Sequence, residues 1–146
     1  MIVFELVHTY FTFKNSIFYS LRSLGFYLNM QDTEEAISFY RDLPGFCDAP
    51  NGFSIRRRSI TGNVVENTFF EALVYAHTYG YEDYEFTAEL GLFASKVDAQ
   101  NAIDTYRLDN KQYYGNESIE IEEIINKHNI SDRYCTEGFV VEILDN

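Results

Sequence analysis

The 146-residue chain is 46% hydrophobic and 17% aromatic, enough apolar material to bury a core and to exclude a disordered chain. Its formal net charge of −12 repels nucleic-acid phosphates and anionic membrane surfaces and favours basic partners. No apolar run approaches the ~18–20 residues of a membrane-spanning helix, and the N-terminus lacks the basic and apolar regions of a secretory signal, so a soluble, cytoplasmic protein is expected.

Residues 2–10 are rich in β-branched and aromatic side chains and read as a strand. Residues 17–28 read as its hairpin partner, with Lys14, Asn15 and Ser16 at the turn. Asp32 or Thr33 then offers a side-chain oxygen to the free amides of a first helical turn. Glu34 and Glu35 suit the positive end of that helix. Ala36, Ile37, Tyr40 and Leu43 form one apolar stripe, and Pro44-Gly45 stops the helix. Residues 53–60 follow as a third strand.

The same order is expected again. Residues 68–79 read as a strand, 80–83 as a turn and 84–95 as a strand with Phe86, Ala88, Leu90 and Leu92 on one face. Asp98 caps a helix running to about Leu108, and 109–116 is a polar loop. Residues 118–126 fit a strand or a helix by period, and the order of elements favours strand. A last strand is expected over 139–144.

The two halves also match in sequence. At an offset of 66, Leu24-Gly25 meets Leu90-Gly91, Asp32 meets Asp98, Ala36-Ile37 meets Ala102-Ile103 and Tyr40-Arg41 meets Tyr106-Arg107. His8-Thr9-Tyr10 recurs as His77-Thr78-Tyr79 at an offset of 69, which makes the two histidines equivalents if three extra residues lie in the first hairpin. The expected fold is therefore α+β: tandem β-β-α-β repeats over 1–66 and 67–146, forming one compact pseudo-two-fold unit with antiparallel sheet and one helix per repeat.

Three turn motifs stand out: Leu43-Pro44-Gly45-Phe46, Pro50-Asn51-Gly52-Phe53 and Thr136-Glu137-Gly138-Phe139. On these the chain resembles a small, widespread family of uncharacterised bacterial domains, with the motifs divided between the two copies. The resemblance implies a fold and transfers no activity.

Signals for chemistry are sparse. There is no Cys-x-x-Cys, no His-x-x-x-His, no Walker loop and no nucleophile elbow, so no metal, cofactor or catalytic residue is assigned. Cys47 and Cys135 are expected as reduced, partly buried thiols. His8 and His77 read first as structural histidines at strand ends. Arg56-Arg57-Arg58 alternates faces, and reads either as protection of an edge strand or as an anion or partner contact.

Charge asymmetry is the strongest functional clue. Residues 1–66 carry 6 Lys/Arg against 7 Asp/Glu, whereas 67–146 carry 5 against 16. Folding does not require that difference. Glu117, Glu120, Glu122 and Glu123 cluster near the last strands, and tyrosines thread the same half. The expectation is a non-catalytic, acidic protein-binding inhibitor that blocks a basic, nucleic-acid-handling partner such as a nuclease. Small, acidic, motif-poor immunity proteins and anti-CRISPR or other anti-defence proteins are similar as a class. Glu82, Asp83, Glu85, Glu120 and Glu122 would steer the partner, and Tyr81 and Tyr84 would anchor it. The alternatives are a structural or regulatory module that self-associates into a homodimer through sheet edges, and a small hydrolase using His8 or His77. The hydrolase requires both histidines to meet a carboxylate.

Overall fold

The computed structural model describes residues 1–11, 19–79 and 84–140, with the backbone alone for Tyr19 and Tyr84. The fold is α+β. The elements are β1 (Ile2–Phe11), β2 (Tyr19–Tyr27), α1 (Met30–Arg41), β3 (Phe53–Thr61), β4 (Thr68–Thr78), β5 (Tyr84–Phe93), α2 (Lys96–Asp109), α3 (Lys111–Tyr114) and β6 (Ile119–Asn129). The expected turns at 14–16 and 80–83 lie outside the described residues. So does most of the expected last strand: Phe139 and Val140 are not in a strand, and 141–146 are not described. No helix among the described residues is long and apolar enough to cross a membrane.

The chain forms two compact units. An N-terminal unit holds Ile2–Arg58 with Ile130–Asn146, and a central unit holds Met1 with Ser59–Asn129.

In the N-terminal unit β1 lies between β2 and β3. Glu5 pairs with Phe26 and Val7 with Ser23, so Leu24 and Gly25 together face Leu6 in a β-bulge. Gly25 has φ +115, a conformation that L side chains rarely adopt, which is why glycine stands there. Helix α1 starts earlier than its carboxylates suggest. Asn29 is the N-cap, and its Oδ1 accepts from the Asp32 amide at 2.8 Å. Asp32 and Thr33 thus sit inside the first turn, and the buried Thr33 hydroxyl donates to the Asn29 carbonyl at 2.8 Å. The helix ends at Arg41 with Asp42 as C-cap, two residues before Pro44. The expected stripe packs inward: Ala36 and Tyr40 are buried with Leu6, Leu24, Tyr27 and Phe46, and Ile37 and Leu43 pack against them.

The three Gly-Phe turns meet in this one unit. The Phe139 amide donates to the Pro44 carbonyl at 2.9 Å. Phe46, Phe53 and Phe139 surround the buried His8 ring, with centroids 4.8, 4.7 and 6.0 Å away. The closing motif is far away in sequence, but the chain returns after β6 to place it beside the other two.

In the central unit β4 lies between β5 and β6, and the end of β3 flanks β5. Ala72 pairs with Gly91 and Leu73 with Glu89, which leaves Leu90 as the extra residue of a second bulge, with Gly91 at φ +139. The bulge breaks the expected single face of β5: Leu90 and Phe93 pack toward α2 with Ala72, Ala99 and Ile103, while Leu92 leaves that cluster. Ser95, not Asp98, is the N-cap of α2, and its hydroxyl accepts from the Asp98 amide at 3.1 Å. The ambiguous stretch is strand from Ile119 onward, paired with β4 from Thr68↔Asn129 to Thr78↔Ile119.

Two expectations are corrected here. The expected polar loop contains the short α3, so this unit has more than one helix. The pairing is also mixed rather than purely antiparallel, because Ile60 and Thr61 of β3 pair in parallel with Leu92 and Phe93 of β5. Two successive chain reversals bring β5 back in the direction of β3. In the first, Val65 bridges Thr68 while Glu66 and Asn67 both take positive φ, the signature of a tight I′ turn.

Candidate functional site

Alternation along β4 sends Phe70, Ala72, Val74 and Ala76 toward α2 and Glu71, Tyr75, His77 and Tyr79 to the opposite face. Cross-strand partners share a face, so Tyr75 meets Glu122, and His77 meets Glu120 on β6 and Glu85 on β5. The sheet thus brings Glu85 of β5 onto one face with Glu120 and Glu122 of β6, from which it is distant in sequence.

Their contacts are specific. His77 Nδ1 lies 2.8 Å from Glu85 Oε1, and its ring packs against Tyr79 at 4.6 Å. The Tyr79 hydroxyl donates to Glu120. Bonds from His77 and Tyr75 hold the Glu85 carboxyl below its usual range. The Tyr75 phenol is pushed up, first by its bond to Glu85 and further by the charges of Glu85, Glu120 and Glu122. Tyr75, His77, Tyr79, Glu120 and Glu122 line a cavity of about 210 Å³. Glu122 makes no hydrogen bond or ion pair among the described residues, and it is exposed. At the other end of the same face Glu71 is buried and bonded to His128 at 3.0 Å.

Of the residues expected to bind a partner, Glu85, Glu120 and Glu122 fall on this face. Tyr81, Glu82, Asp83 and the Tyr84 side chain lie outside the described residues. Glu123, expected in the same acidic group, points the other way. It accepts from Arg107 Nε at 3.2 Å and from the Tyr114 hydroxyl at 3.1 Å, on the side of the helices. Adjacent strand residues cannot share a face, so a cluster in sequence divides in space. Tyr75, Tyr79 and His77 belong to the site by strand register, a signal present in the sequence once β4 and β6 are known to pair.

The two histidines are not structural equivalents. His8 lies two residues beyond Leu6 and packs on the same face, whereas His77 lies five beyond Ala72 and on the opposite face. His8 Nε2 is 2.9 Å from the Ala49 carbonyl, which only accepts, so Nε2 carries the proton. Its Nδ1 is buried without a partner among the described residues. Burial, opposed by the Ala49 bond and aided by Arg22, pulls the His8 pKa down. His8 therefore meets a carbonyl and aromatic rings, and no carboxylate among the described residues. Of these two histidines only His77 meets a carboxylate among the described residues, so the joint geometry that the hydrolase expectation requires is not formed there.

Two members of the arginine run contact one carboxylate of the N-terminal unit. Arg58 and Arg56 reach Glu5 at 2.9 and 3.6 Å, and Glu5 is buried. Cys47 and Cys135 are free thiols and both are exposed, not partly buried as expected. Among the described residues no group of His, Cys, Asp or Glu is placed to hold a metal ion.

No family model, curated protein or solved structure matches this chain.

Proposed function

We propose that the chain is a duplicated β-β-α-β protein whose central unit presents an acidic, tyrosine-bearing sheet face, and that it acts by binding and blocking a basic, nucleic-acid-handling protein. No catalytic step is assigned to it. The immunity and anti-defence inhibitors remain a class-level likeness in charge and size.

The duplication is supported by local structure recurring at the sequence offset of 66. The bulge glycines Gly25 and Gly91, the N-caps Asn29 and Ser95, the helix starts Met30 and Lys96, and the strand starts Phe53 and Ile119 all keep it. So do the strand pairs Glu5↔Phe26 and Glu71↔Leu92.

One observation carries the binding reading: Glu85, Glu120 and Glu122 converge on one sheet face beside Tyr75 and Tyr79. Like charges on neighbouring strands cost stability, so a face that gathers them is better explained by a cationic partner than by folding. Tyrosine supplies amphipathic contact area at low entropic cost.

The test is affinity capture from host lysate at low and moderate salt, followed by a nucleic-acid cleavage or binding assay on what is caught. The expected result is one stoichiometric basic protein, released as salt rises and inhibited by an equimolar amount of this chain. Capture of nothing at either salt by the folded protein would overturn the reading. Concentration-dependent mass unaffected by salt would favour self-association in its place.

A further inference from the structure

We infer that the cavity among Tyr75, His77, Tyr79, Glu120 and Glu122 receives a single arginine side chain of the basic partner. This rests on the reading of that face as a binding surface, and adds what the surface recognises.

Tyr75 and His77 of β4 and Tyr79 just beyond its end carry rings, and the two residues paired across from Tyr75 and His77 carry carboxylates. The result is an aromatic wall beside an acidic wall. The volume of about 210 Å³ is on the scale of one long side chain. A planar guanidinium satisfies both walls at once: its faces stack on the rings, and its edge donates to carboxylate oxygens. A lysine ammonium supplies the charge without the plane.

The acidic wall is prepared for this. The Tyr79 hydroxyl fixes the Glu120 carboxylate, and Glu85 is occupied by His77. Glu122 is the carboxylate left with open acceptor sites among the described residues. The pocket therefore has one carboxylate, Glu120, oriented by a neutral hydroxyl and a second, Glu122, with open acceptor sites.

The experiment is an NMR titration of the whole chain with two pentapeptides, Gly-Gly-Arg-Gly-Gly and Gly-Gly-Lys-Gly-Gly, both acetylated and amidated. The arginine peptide is expected to shift the signals of Tyr75, His77, Tyr79, Glu120 and Glu122, with the lysine peptide about fivefold weaker, the scale of one exposed charge-assisted bond. Glu122→Gln and Tyr79→Ala, both at exposed positions, should each erase that preference while leaving the rest of the spectrum in place. Equal shifts by the two peptides would overturn the arginine pocket and leave the acidic binding face standing. Shifts by neither peptide, with a basic protein still captured from lysate, would also overturn the pocket. Absence of peptide shifts together with absence of capture would remove the binding face as well.

Discussion

Glu5 and Glu71 occupy the same place in two three-stranded arrays, one residue before the bulge and on the face away from the helix. Both are buried. Glu5 is answered by two arginines, which are cations at every accessible pH. Glu71 is answered by His128, a cation only when protonated. Farther along the same face, the central unit adds Glu85, Glu120 and Glu122, none of them paired with an arginine among the described residues. One backbone plan thus carries two electrostatic outcomes. The first is a carboxylate answered by arginines of its own unit; the second, on the reading proposed above, includes carboxylates that answer to a partner.

The largest expected difference lies at those two glutamates. Arg58→Met keeps the apolar stem but leaves the buried Glu5 carboxylate to the longer 3.6 Å contact with Arg56, and should cost roughly 2–3 kcal/mol in urea unfolding. His128→Ala removes one hydrogen bond from Glu71 and should cost about 1 kcal/mol. Equal costs would break the comparison. Next come the bulge glycines. An added Cβ at either takes on a strained positive φ. At Gly25 it would also stand 2.3 Å from the Asp132 carbonyl oxygen, whereas at Gly91 the nearest atoms are Phe93 ring carbons at 3.2 Å. Gly25→Ala should therefore cost more than Gly91→Ala, by roughly 1–2 kcal/mol of added overpacking. The helix caps sharpen the likeness instead. Asn29→Ala and Ser95→Ala should each cost about 1 kcal/mol, because each removes the same side-chain bond to the fourth residue of its capping turn.

The smallest effect concerns pH. The folded His8 pKa lies below the ordinary 6.5, so the unfolded chain takes up the proton first on acidification. His8 stabilisation is complete above pH 6.5 and is lost as pH falls from there toward the depressed folded value. Hydrogen exchange should show amides around Ala49 and Phe139 opening first on mild acidification, and His8→Gln should flatten that dependence. At the alkaline side, Tyr27 is pushed up to about 12 by burial, so its contribution holds to pH 10 and is lost as pH climbs toward 12.

Much of the architecture was legible in the sequence because period and punctuation agree. Strands β1 to β5 and both long helices follow the β-branched runs and the stripe of Ala36, Ile37, Tyr40 and Leu43. The caps were misplaced because the carboxylates at Asp32 and Asp98 look like caps. The true caps, Asn29 and Ser95, lie three residues earlier, where their oxygens reach the amides of those same aspartates. The histidine equivalence failed for a related reason: a repeated tripeptide outvoted the strand register that places His8 and His77 on opposite faces. Short α3 carries too weak a pattern to announce itself. The candidate site was half legible. Charge count marks the second half of the chain, but only pairing of β4 with β6 separates Glu122 from Glu123 and draws in Tyr75, His77 and Tyr79. The meeting of Phe139 with Phe46 around His8 depends on a return of the chain that no local pattern records.

The most direct test of the central claim compares two variants that each lose three carboxylates. One is Glu85→Gln, Glu120→Gln and Glu122→Gln on the face of the central unit; the other is Glu34→Gln, Glu35→Gln and Asp42→Asn on exposed positions of the N-terminal unit. Capture of the basic partner at low salt should survive the second set and be lost with the first. Equal loss in both would mean that net charge, and not the sheet face, does the binding.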